Sequence, residues 1–401
     1  MTPLLTDLRV VEVSAFIAAP LGGMTLAQLG AEVIRIDPLG GNVDYRRWPL
    51  NETGESLYWA SLNKGKRSVA IAMNRPEGQE IARALITAGG DGHGILLTNL
   101  PAKGWLDYDV LRRERADLIM LQLTGNPDGS TAVDYTINCA SGFPYATGAS
   151  EEPVNHVVPV WDVAAGLYMA TGLLAAERHR ARTGMGQKIS LSLADVMLAT
   201  VSNLGFTAEV EVNGQGRRPL GNDLYGAYGH DFATRDGRRV MVVAISNRHW
   251  RALGTATGLA ERLAMIGPMM DVDLATEGGR FEGRHAISAV LSPWFAARAL
   301  DEVREALEGT GVLWGAYQDF EQLVAEDARF STANPLFQRV DHHGIGPFTT
   351  PGTPLGFGAV PRQTLTGAPR LGSATEAVLA DILKLPSHEI ARLVDQGVVA
   401  V

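Results

Sequence analysis

Cysteine is almost absent from this chain, since Cys139 is the only one among 401 residues. A single thiol cannot close an internal disulfide, and no Cys-x-x-Cys pair offers a structural zinc site. The sequence also lacks any uninterrupted run of about 18 apolar residues, and its first strand-like segment follows the start without a leader pattern. We therefore expect a reducing, cytoplasmic setting, no membrane span, no metal, and a core position for Cys139.

Basic residues are also fewer than acidic ones, since the chain has 35 basic and 44 acidic residues and therefore a net charge of -9. The charges are spread along the chain without a long basic run, so nucleic acid is not an expected partner. The sequence has no Gly-x-Gly-x-x-Gly and no Walker-type loop, which disfavours a nicotinamide-dependent dehydrogenase. It has no Gly-x-Ser-x-Gly elbow, and its histidines show no metal-ligand spacing.

Short β-branched runs alternate with helical segments through the first half of the chain. This alternation predicts an α/β fold with a mostly parallel sheet covered by helices. From Gly221 the pattern changes to strand, Asp-Gly turn, strand and then helices, one of them at 281–298, which predicts a smaller α+β domain. We therefore predict domains at 1–220 and 221–330, with 331–401 returning to the first domain through an extended connection at 347–369 and two final helices at 375–383 and 387–397.

One carboxylate, Asp162, stands at the start of a long small-residue helix that is predicted to end at Thr183-Gly184, in the segment PVWDVAAGLYMATGLLAAERHRARTGMGQ, residues 159–187. The unpaired amides and the positive dipole end of a first helical turn favour an ionised, oriented carboxylate at such a position. That environment suits a nucleophile. Aspartate is also one of the commonest N-cap residues, and the position alone favours capping over catalysis.

Five motifs in a fixed order extend over nearly the whole chain: LRVVEVSAFIAAPLGGMTLAQLGAEVIRID, LNKGKRSVAIAMNRPEGQE, ILLTNLPAKG, WDVAAG and RTGMGQ. Together they resemble the class III CoA-transferases. The resemblance implies a large Rossmann-like CoA-binding domain built from both chain ends, a smaller domain between them, and an interlocked homodimer. It also implies that Asp162 is the catalytic nucleophile, that an acyl-CoA thioester is the substrate, and that no prosthetic group is needed.

The same resemblance implies where CoA binds. The matching channel positions are Phe16, Ala18, Ile71, Asn99 and Leu100, and the candidates for the CoA phosphates are Arg75, Lys103 and Lys64. Ordinary loop-edge core and solvated surface charge are the alternative interpretations of these positions. Pro38 stands where the family often has a basic residue, so the CoA contacts do not transfer as a set.

Residues near the nucleophile distinguish branches of this family. The α-methylacyl-CoA racemases need two bases, and here Asp134 matches their Asp, while Val133 and Ser246 replace their His and Glu. Racemisation is therefore disfavoured. The chain is more similar to the branch that moves CoA between the C1 and C4 carboxyls of one branched unsaturated dicarboxylate.

A dicarboxylate needs a cationic group for its free end, and Arg47 beside Trp48 is the candidate. Tyr135 and Asn138 are candidates for pocket walls, and a surface basic pair formed with Arg46 is the alternative interpretation of Arg47. Intermolecular transfer from succinyl-CoA to a related dicarboxylate would share every motif. A silent CoA-binding protein is a further alternative, and the presence of Asp162 argues against it.

Overall fold

The computed structural model describes residues 4–401. They divide into two compact units. The large unit contains the residues up to Ser141 together with Val157–Val212 and Ala328–Val401, and the small unit contains Gly142–His156 and Asn213–Asp327. The domain boundaries drawn from the sequence, at 220/221 and 330/331, stay a proposal. They did not separate the segment Gly142–His156 from the first domain.

The strands are numbered in chain order. In the large unit they are β1 Arg9–Val13, β2 Glu32–Asp37, β3 Arg67–Ile71, β4 Ile95–Thr98, β5 Ile119–Thr124 and β6 Gln187–Ser192. The small unit has β7 Tyr228–Ala233, β8 Arg239–Ala244 and β9 Leu313–Ala316, and the chain ends in the large unit with β10 Phe337–His342, β11 Gly346–Pro351 and β12 Val399–Ala400.

The helices are numbered in the same way. Up to the end of the long Asp162 helix they are α1 Ala18–Gln28, α2 Leu57–Leu62, α3 Pro76–Thr87, α4 Tyr108–Glu114, α5 Asp134–Cys139, α6 Phe143–Ala146 and α7 Val160–Thr183. The next are α8 Leu193–Asn203, α9 Phe206–Asn213, α10 Asn247–Thr257, α11 Ala260–Ala264, α12 Ile266–Met270, α13 Glu277–Glu282 and α14 Arg284–Ala296. The last are α15 Leu300–Leu307, α16 Phe320–Glu326, α17 Thr375–Leu383 and α18 Ser387–Asp395.

The large unit is built on a seven-stranded sheet with the order β12-β3-β2-β1-β4-β5-β6, in which β1 to β6 pair in parallel and β12 runs antiparallel to β3. This confirms the predicted α/β class. The order reverses between β1 and β4. In open parallel sheets, ligands bind outside the carboxyl ends of the strands at such a reversal, so the loops after β1 and β4 mark the expected site.

Helix α1 packs closely along α7, and small residues make this approach possible. A Cβ atom added at Gly166 of α7 would lie 2.7 Å from the Ala18 carbonyl oxygen, and one added at Gly22 of α1 would lie 3.0 Å from the Gly166 carbonyl oxygen. Any larger side chain would push the two helices apart. The contact therefore fixes the helix that carries Asp162 against the helix that follows β1.

Charged side chains fill a buried space at the carboxyl ends of β1 and β2. We call this group the buried ion cluster, and its members are at most 5% exposed: Glu12, Arg35, Asp37, Asp44 and Lys66. Lys66 Nζ donates to Glu12 Oε1 at 2.9 Å and to the carbonyl of Pro20, in α1, at 2.9 Å. Burial lowers the pKa of Lys66 to about 8. Buried charges persist in a fold only when they are paired in this way.

Arg35 is the centre of the buried ion cluster. Its guanidinium donates to Asp37 at 3.0 Å, Asp44 at 2.8 Å, Asn63 at 2.9 Å and the Ser14 carbonyl at 3.1 Å. Burial lowers the pKa of Arg35, but the surrounding carboxylates outweigh it and raise the pKa above its usual value. The loop after β1 and the loop that contains Asp44 are thereby tied to β2.

The small unit has its own core around the antiparallel sheet β7-β8-β9. Phe232 and Phe295 stack there with ring centroids 4.3 Å apart. The prediction of a strand, Asp-Gly turn, strand element is confirmed by β7 and β8, which pair antiparallel on either side of the turn at Asp236 and Gly237. The helix expected at 281–298 is divided at Gly283 into the end of α13 and α14.

Three further findings concern the sequence predictions. Cys139 is exposed rather than in the core, with its thiol donating to the Tyr135 carbonyl at 3.2 Å. The extended connection expected from residue 347 begins instead with β11, which pairs antiparallel with β10. Within residues 4–401, no helix is long and apolar enough to cross a membrane, and no three His, Cys, Asp or Glu side chains are grouped to hold a metal ion.

Candidate active site

Asp162 is the third residue of α7, which begins after the N-cap residue Pro159. Proline has no side-chain acceptor for the first amides of the helix, and no side-chain hydrogen bond from Pro159 is present. The helix ends at Thr183, followed by Gly184 in the left-handed conformation, as the Thr183-Gly184 pair predicted. Asp162 therefore lies in the first turn of a 24-residue helix.

The first-turn amides of α7 are bound by a carboxylate from another helix. Asp134 Oδ2 accepts hydrogen bonds from the amides of Trp161 at 2.7 Å and of Asp162 at 3.1 Å. Asn138, one turn further along α5, accepts from Trp161 Nε1 at 3.2 Å. Asp134, Asn138 and Trp161 are each 1% exposed. Together they form the floor beneath Asp162.

The acid–base state of Asp162 differs from the expectation drawn from the helix dipole. Burial, and then the negative charge of Asp134, raise the pKa of Asp162 to about 7. The helix dipole alone would favour a readily ionised carboxylate, but burial and the charge of Asp134, which already occupies the amides of this turn, oppose it. Near neutral pH, Asp162 is therefore divided between its protonated and ionised forms.

Tyr58 was not identified from the sequence, and the structure places it beside Asp162. Its hydroxyl is buried and has no hydrogen-bond partner among residues 4–401. Burial raises the pKa of Tyr58, the Arg47 cation opposes that rise, and the Asp162 charge adds to it. Tyr58 is therefore close enough to both Arg47 and Asp162 for their charges to act on its phenol. An aromatic in a short helix is usually core, so the sequence carried no signal for this position.

Arg47 is held by aromatic faces. Its guanidinium carbon lies 5.4 Å from the ring centroid of Phe16 and 5.4 Å from that of Tyr58. Cation–π contacts of this kind orient a guanidinium while leaving its N–H donors available to a ligand. Arg47 itself is exposed. The structure thus brings the predicted Arg47 and Phe16 together with Tyr58.

Phe16 has a positive φ of 67°, in the left-handed region that a bulky residue rarely adopts. Asn99, which follows β4, holds the preceding residue on both sides: its Oδ1 accepts from the Ala15 amide at 3.0 Å, and its Nδ2 donates to the Ala15 carbonyl at 2.7 Å. Backbone strain of this kind persists where the surroundings impose it, and it is concentrated at functional sites. Asn99 therefore joins the two loops at the reversal of strand order.

The other predicted CoA positions lie at or near the same edge of the sheet. Ala18 and Ile71 are 1% and 0% exposed, so their side chains belong to the core. Leu100 is half-buried against the core, and Lys103 is exposed at the start of a 3₁₀ turn. Arg75 is 40% exposed and donates to the Gln396 carbonyl at 2.6 Å. Their roles in CoA binding stay predictions.

Lys64 differs from the other phosphate candidates because it is only 4% exposed. Its ammonium donates to the Pro351 carbonyl at 3.1 Å, and burial lowers its pKa to about 8. This position fits a structural link to β11 better than a contact with CoA phosphates. Lys103 and Arg75 are more accessible cations.

The predicted walls of the substrate pocket differ in accessibility. Trp48 is 80% exposed and Tyr135 is 43% exposed, with the Tyr135 hydroxyl donating to the Val157 carbonyl at 3.3 Å. Asn138 is buried below Trp161, which gives it a supporting position rather than a place on the pocket surface. Arg47 and Tyr135 both have surface that a substrate can reach.

Comparison with known proteins places this site in a family. The profile of CoA-transferase family III matches residues 5–375. The chain belongs to CoA-transferase family III. This confirms the family inferred from the five motifs.

Full-length relatives support the same family assignment for this transferase. It is 52% identical, over 100% of the chain and 98% of the relative, to a 2-methylfumaryl-CoA isomerase of Chloroflexus aurantiacus. It is 29% identical, over 95% of the chain and 96% of the relative, to a succinate–glutarate CoA-transferase of Agrobacterium fabrum. A CAIB/BAIF family protein from Brucella suis covers 95% of the chain, and 100% of its own length is matched, with a TM-score of 0.78 at 25% identity.

Proposed function

We propose that this family III transferase moves CoA within one substrate molecule, converting 2-methylfumaryl-CoA to 3-methylfumaryl-CoA by transfer between the C1 and C4 carboxyls of mesaconate. The observation that carries the proposal is its 52% identity, over the whole chain, to a 2-methylfumaryl-CoA isomerase. The geometry supports it, because a half-buried carboxylate and a cation held by aromatic rings both act on the Tyr58 phenol.

The first half of the reaction removes CoA from C1. The Asp162 carboxylate attacks the thioester carbonyl, the carbon–sulfur bond breaks, and the CoA thiolate leaves a mixed anhydride between Asp162 and the substrate. The thiolate then attacks the Asp162 side of that anhydride. The mesaconate C1 carboxylate departs with the bridging oxygen, and Asp162 becomes an aspartyl-CoA thioester.

The second half returns CoA to C4 by the same two steps in the opposite order. The C4 carboxylate attacks the aspartyl thioester, the thiolate leaves, and a second anhydride forms. The thiolate then attacks the C4 carbonyl and releases the Asp162 carboxylate. Because each anhydride opens with its bridging oxygen on the departing carboxylate, one oxygen passes from Asp162 to C1 and one passes from C4 to Asp162.

The remaining residue roles follow from the position of each side chain. Arg47 binds the free carboxylate of the diacid, with Trp48 and Tyr135 at the rim of the pocket. CoA lies along the carboxyl ends of β1, β3 and β4, near Phe16 and Asn99, with the backbone of Ala18, Ile71 and Leu100 beneath it and Arg75 and Lys103 available to its phosphates. From the resemblance we also propose an interlocked homodimer and a cytoplasmic location. CoA enters as substrate and not as a prosthetic group.

The deciding experiment supplies pure protein with 2-methylfumaryl-CoA, without an acceptor acid and in the presence of isotopically labelled free mesaconate. Products are resolved by chromatography and mass spectrometry. Formation of 3-methylfumaryl-CoA without label supports the proposal. Conversion that begins only after succinate or another acid is added would instead assign intermolecular transfer, the activity named for several of the more distant relatives.

A matched pair of variants tests the nucleophile. Asp195 is also the third residue of a helix, α8, but it is exposed and its helix is capped by Ser192. We expect Asp162→Asn to abolish turnover and Asp195→Asn to retain it. Substrate with ¹⁸O in its free C4 carboxylate should add one heavy oxygen to the Asp162 peptide of the wild-type protein in a single turnover, and up to two after many turnovers. An unlabelled peptide after many turnovers would exclude the anhydride route. An Asp162→Asn variant that stays active would show that Asp162 is not the nucleophile.

A further inference from the structure

Asp134 supplies the capping side chain that Pro159, the residue preceding α7, does not provide. Two helices of the large unit are capped by the side chain of their own preceding residue, α2 by Ser56 and α8 by Ser192. At α7 the preceding residue is Pro159, and the acceptor is a carboxylate 27 and 28 residues away, bound to the amides of Trp161 and Asp162. Any neutral oxygen acceptor would satisfy these amides. A buried carboxylate adds a charge that capping does not need.

We propose that Asp134 is a positioning residue for the nucleophile, which fixes the backbone of Asp162 and holds a negative charge behind its carboxylate. The inference rests on the proposed function, because the orientation of Asp162 matters to the reaction only if Asp162 attacks the thioester. The family resemblance implies no such role for Asp134, which it matches only to the Asp of the racemases.

The charge of Asp134 has a chemical consequence for Asp162. A like charge nearby disfavours ionisation, so it acts with burial to raise the pKa of the Asp162 carboxyl to about 7. A carboxylate with a higher pKa is a stronger nucleophile once it is ionised. Asp134 therefore makes Asp162 more reactive and, at the same time, moves the pH at which the reactive form appears.

Other groups around the first turn of α7 define the electrostatic background. Helix α1 and strand β5 carry no titratable side chain, and Lys188 of β6 is exposed. The Tyr58 phenol of α2 is acted on by the charges of Arg47, Asp44 and Tyr135 besides that of Asp162. Helix α8 packs against α7, and Asp195 at its start is hydrogen-bonded to Ser192. Burial and Asp134 are the causes of the raised pKa of Asp162.

The test compares Asp134→Asn with Asn138→Ala. Asparagine keeps an oxygen acceptor of the same size at position 134 but removes the charge. Asn138→Ala removes a neutral hydrogen bond from the same helix to Trp161 and serves as the structural control. For each variant, kcat/KM for 2-methylfumaryl-CoA is measured from pH 5 to pH 9, because this quantity reports the ionisation of the free enzyme.

We expect the acid limb of the Asp134→Asn profile to move to lower pH by about one unit, with a few-fold lower rate on the plateau. The Asn138→Ala profile should keep the wild-type midpoint even if its rate falls. Identical midpoints in Asp134→Asn and wild type, or an equal displacement in both variants, would overturn the proposal. An inactive Asp162→Asn alongside an unshifted Asp134→Asn would leave the proposed function standing while removing this role.

A second measurement does not require an Asp134 variant to fold. A carboxyl whose pKa is higher in the folded than in the unfolded protein lowers the stability of the fold as pH rises from the unfolded-state pKa towards about 7. Replacing Asp162 with asparagine removes that loss, so the rise in Tm of Asp162→Asn over wild type should be larger at pH 8 than at pH 5. The same difference at both pH values would show that Asp162 carries no charge penalty, and the proposal would fail.

Discussion

Replacing Arg35 with methionine removes the cation at the centre of the buried ion cluster and keeps a side chain of similar length. Arg35 is 0% exposed and is paired with Asp37 and Asp44 at 3.0 and 2.8 Å. After the substitution, three carboxylates in the buried ion cluster face one cation, Lys66, whose pKa burial already lowers to about 8. The variant therefore contains buried negative charge that no neighbouring group can neutralise.

The expected loss of stability follows from this imbalance. Removing one partner of a buried ion pair typically costs about 3–5 kcal/mol, because the other partner stays buried without compensation. At roughly 2–4 °C per kcal/mol for a domain of this size, Tm should fall by about 6–20 °C. The Ser14 carbonyl also loses its hydrogen bond from Arg35, 3.1 Å long, two residues before Phe16. We therefore expect a higher KM in whatever fraction stays folded.

Arg67→Met is the matched control for this measurement. Arg67 begins the neighbouring strand β3 and pairs with Glu32, but its side chain is 31% exposed. Exposed pairs contribute about 0–1 kcal/mol, so the control should lose only a few degrees. Differential scanning calorimetry of both variants at pH 7 gives the comparison. An Arg35→Met protein that melts within the range of Arg67→Met would refute the view that this cluster holds the loops of the site.

Three further predictions concern the reaction. Because Asp162 must be ionised to attack, kcat/KM of the wild type should rise with pH through about 7, and a flat profile between pH 5 and pH 9 would contradict this assignment. Arg47→Gln should raise KM for 2-methylfumaryl-CoA by roughly 10- to 100-fold, because it removes a charge-assisted hydrogen bond to the substrate carboxylate. The control variant Arg46→Gln should keep KM near the wild-type value in the same assay. Gly166→Ala should lower both Tm and kcat, because the added Cβ would lie 2.7 Å from the Ala18 carbonyl oxygen and displace α7 from α1. Unchanged values of both Tm and kcat would exclude that displacement.

Local patterns in the sequence predicted the main elements of the large unit. The β-branched runs correspond to the parallel strands, and the Thr183-Gly184 pair marks the end of α7. These features depend on neighbouring residues, so they can be read without the fold. The helix α17 at Thr375–Leu383 was likewise predicted with its observed bounds. The position of Asp162 in the first turn of α7 follows from the same local logic.

The chemistry around Asp162 depends instead on residues that are distant in the sequence. Its amide is bound by Asp134 across 28 residues, and Tyr58 approaches from α2. The sequence position of Asp162 predicts that it binds the helix amides itself and is therefore ionised. No local pattern states which of two carboxylates occupies a helix terminus. The motifs nevertheless identified the family, because matching a motif does not require knowing which of its residues contact one another in the fold.

The charges in the loaded site explain why retention of the diacid is the demanding step. In the proposed mechanism, mesaconate is a dianion once CoA has moved onto Asp162, in a site that already contains Asp134. At an effective dielectric constant of about 20, two unit charges about 4 Å apart repel by about 4 kcal/mol, which favours escape to water. The cation that opposes escape is Arg47, held 5.4 Å from the ring centroids of Phe16 and Tyr58. Transfer within one molecule therefore depends on Arg47 holding the diacid for longer than the aspartyl-CoA intermediate lasts. The Arg47→Gln variant should accordingly release free mesaconate in an amount that matches the isomer it fails to form.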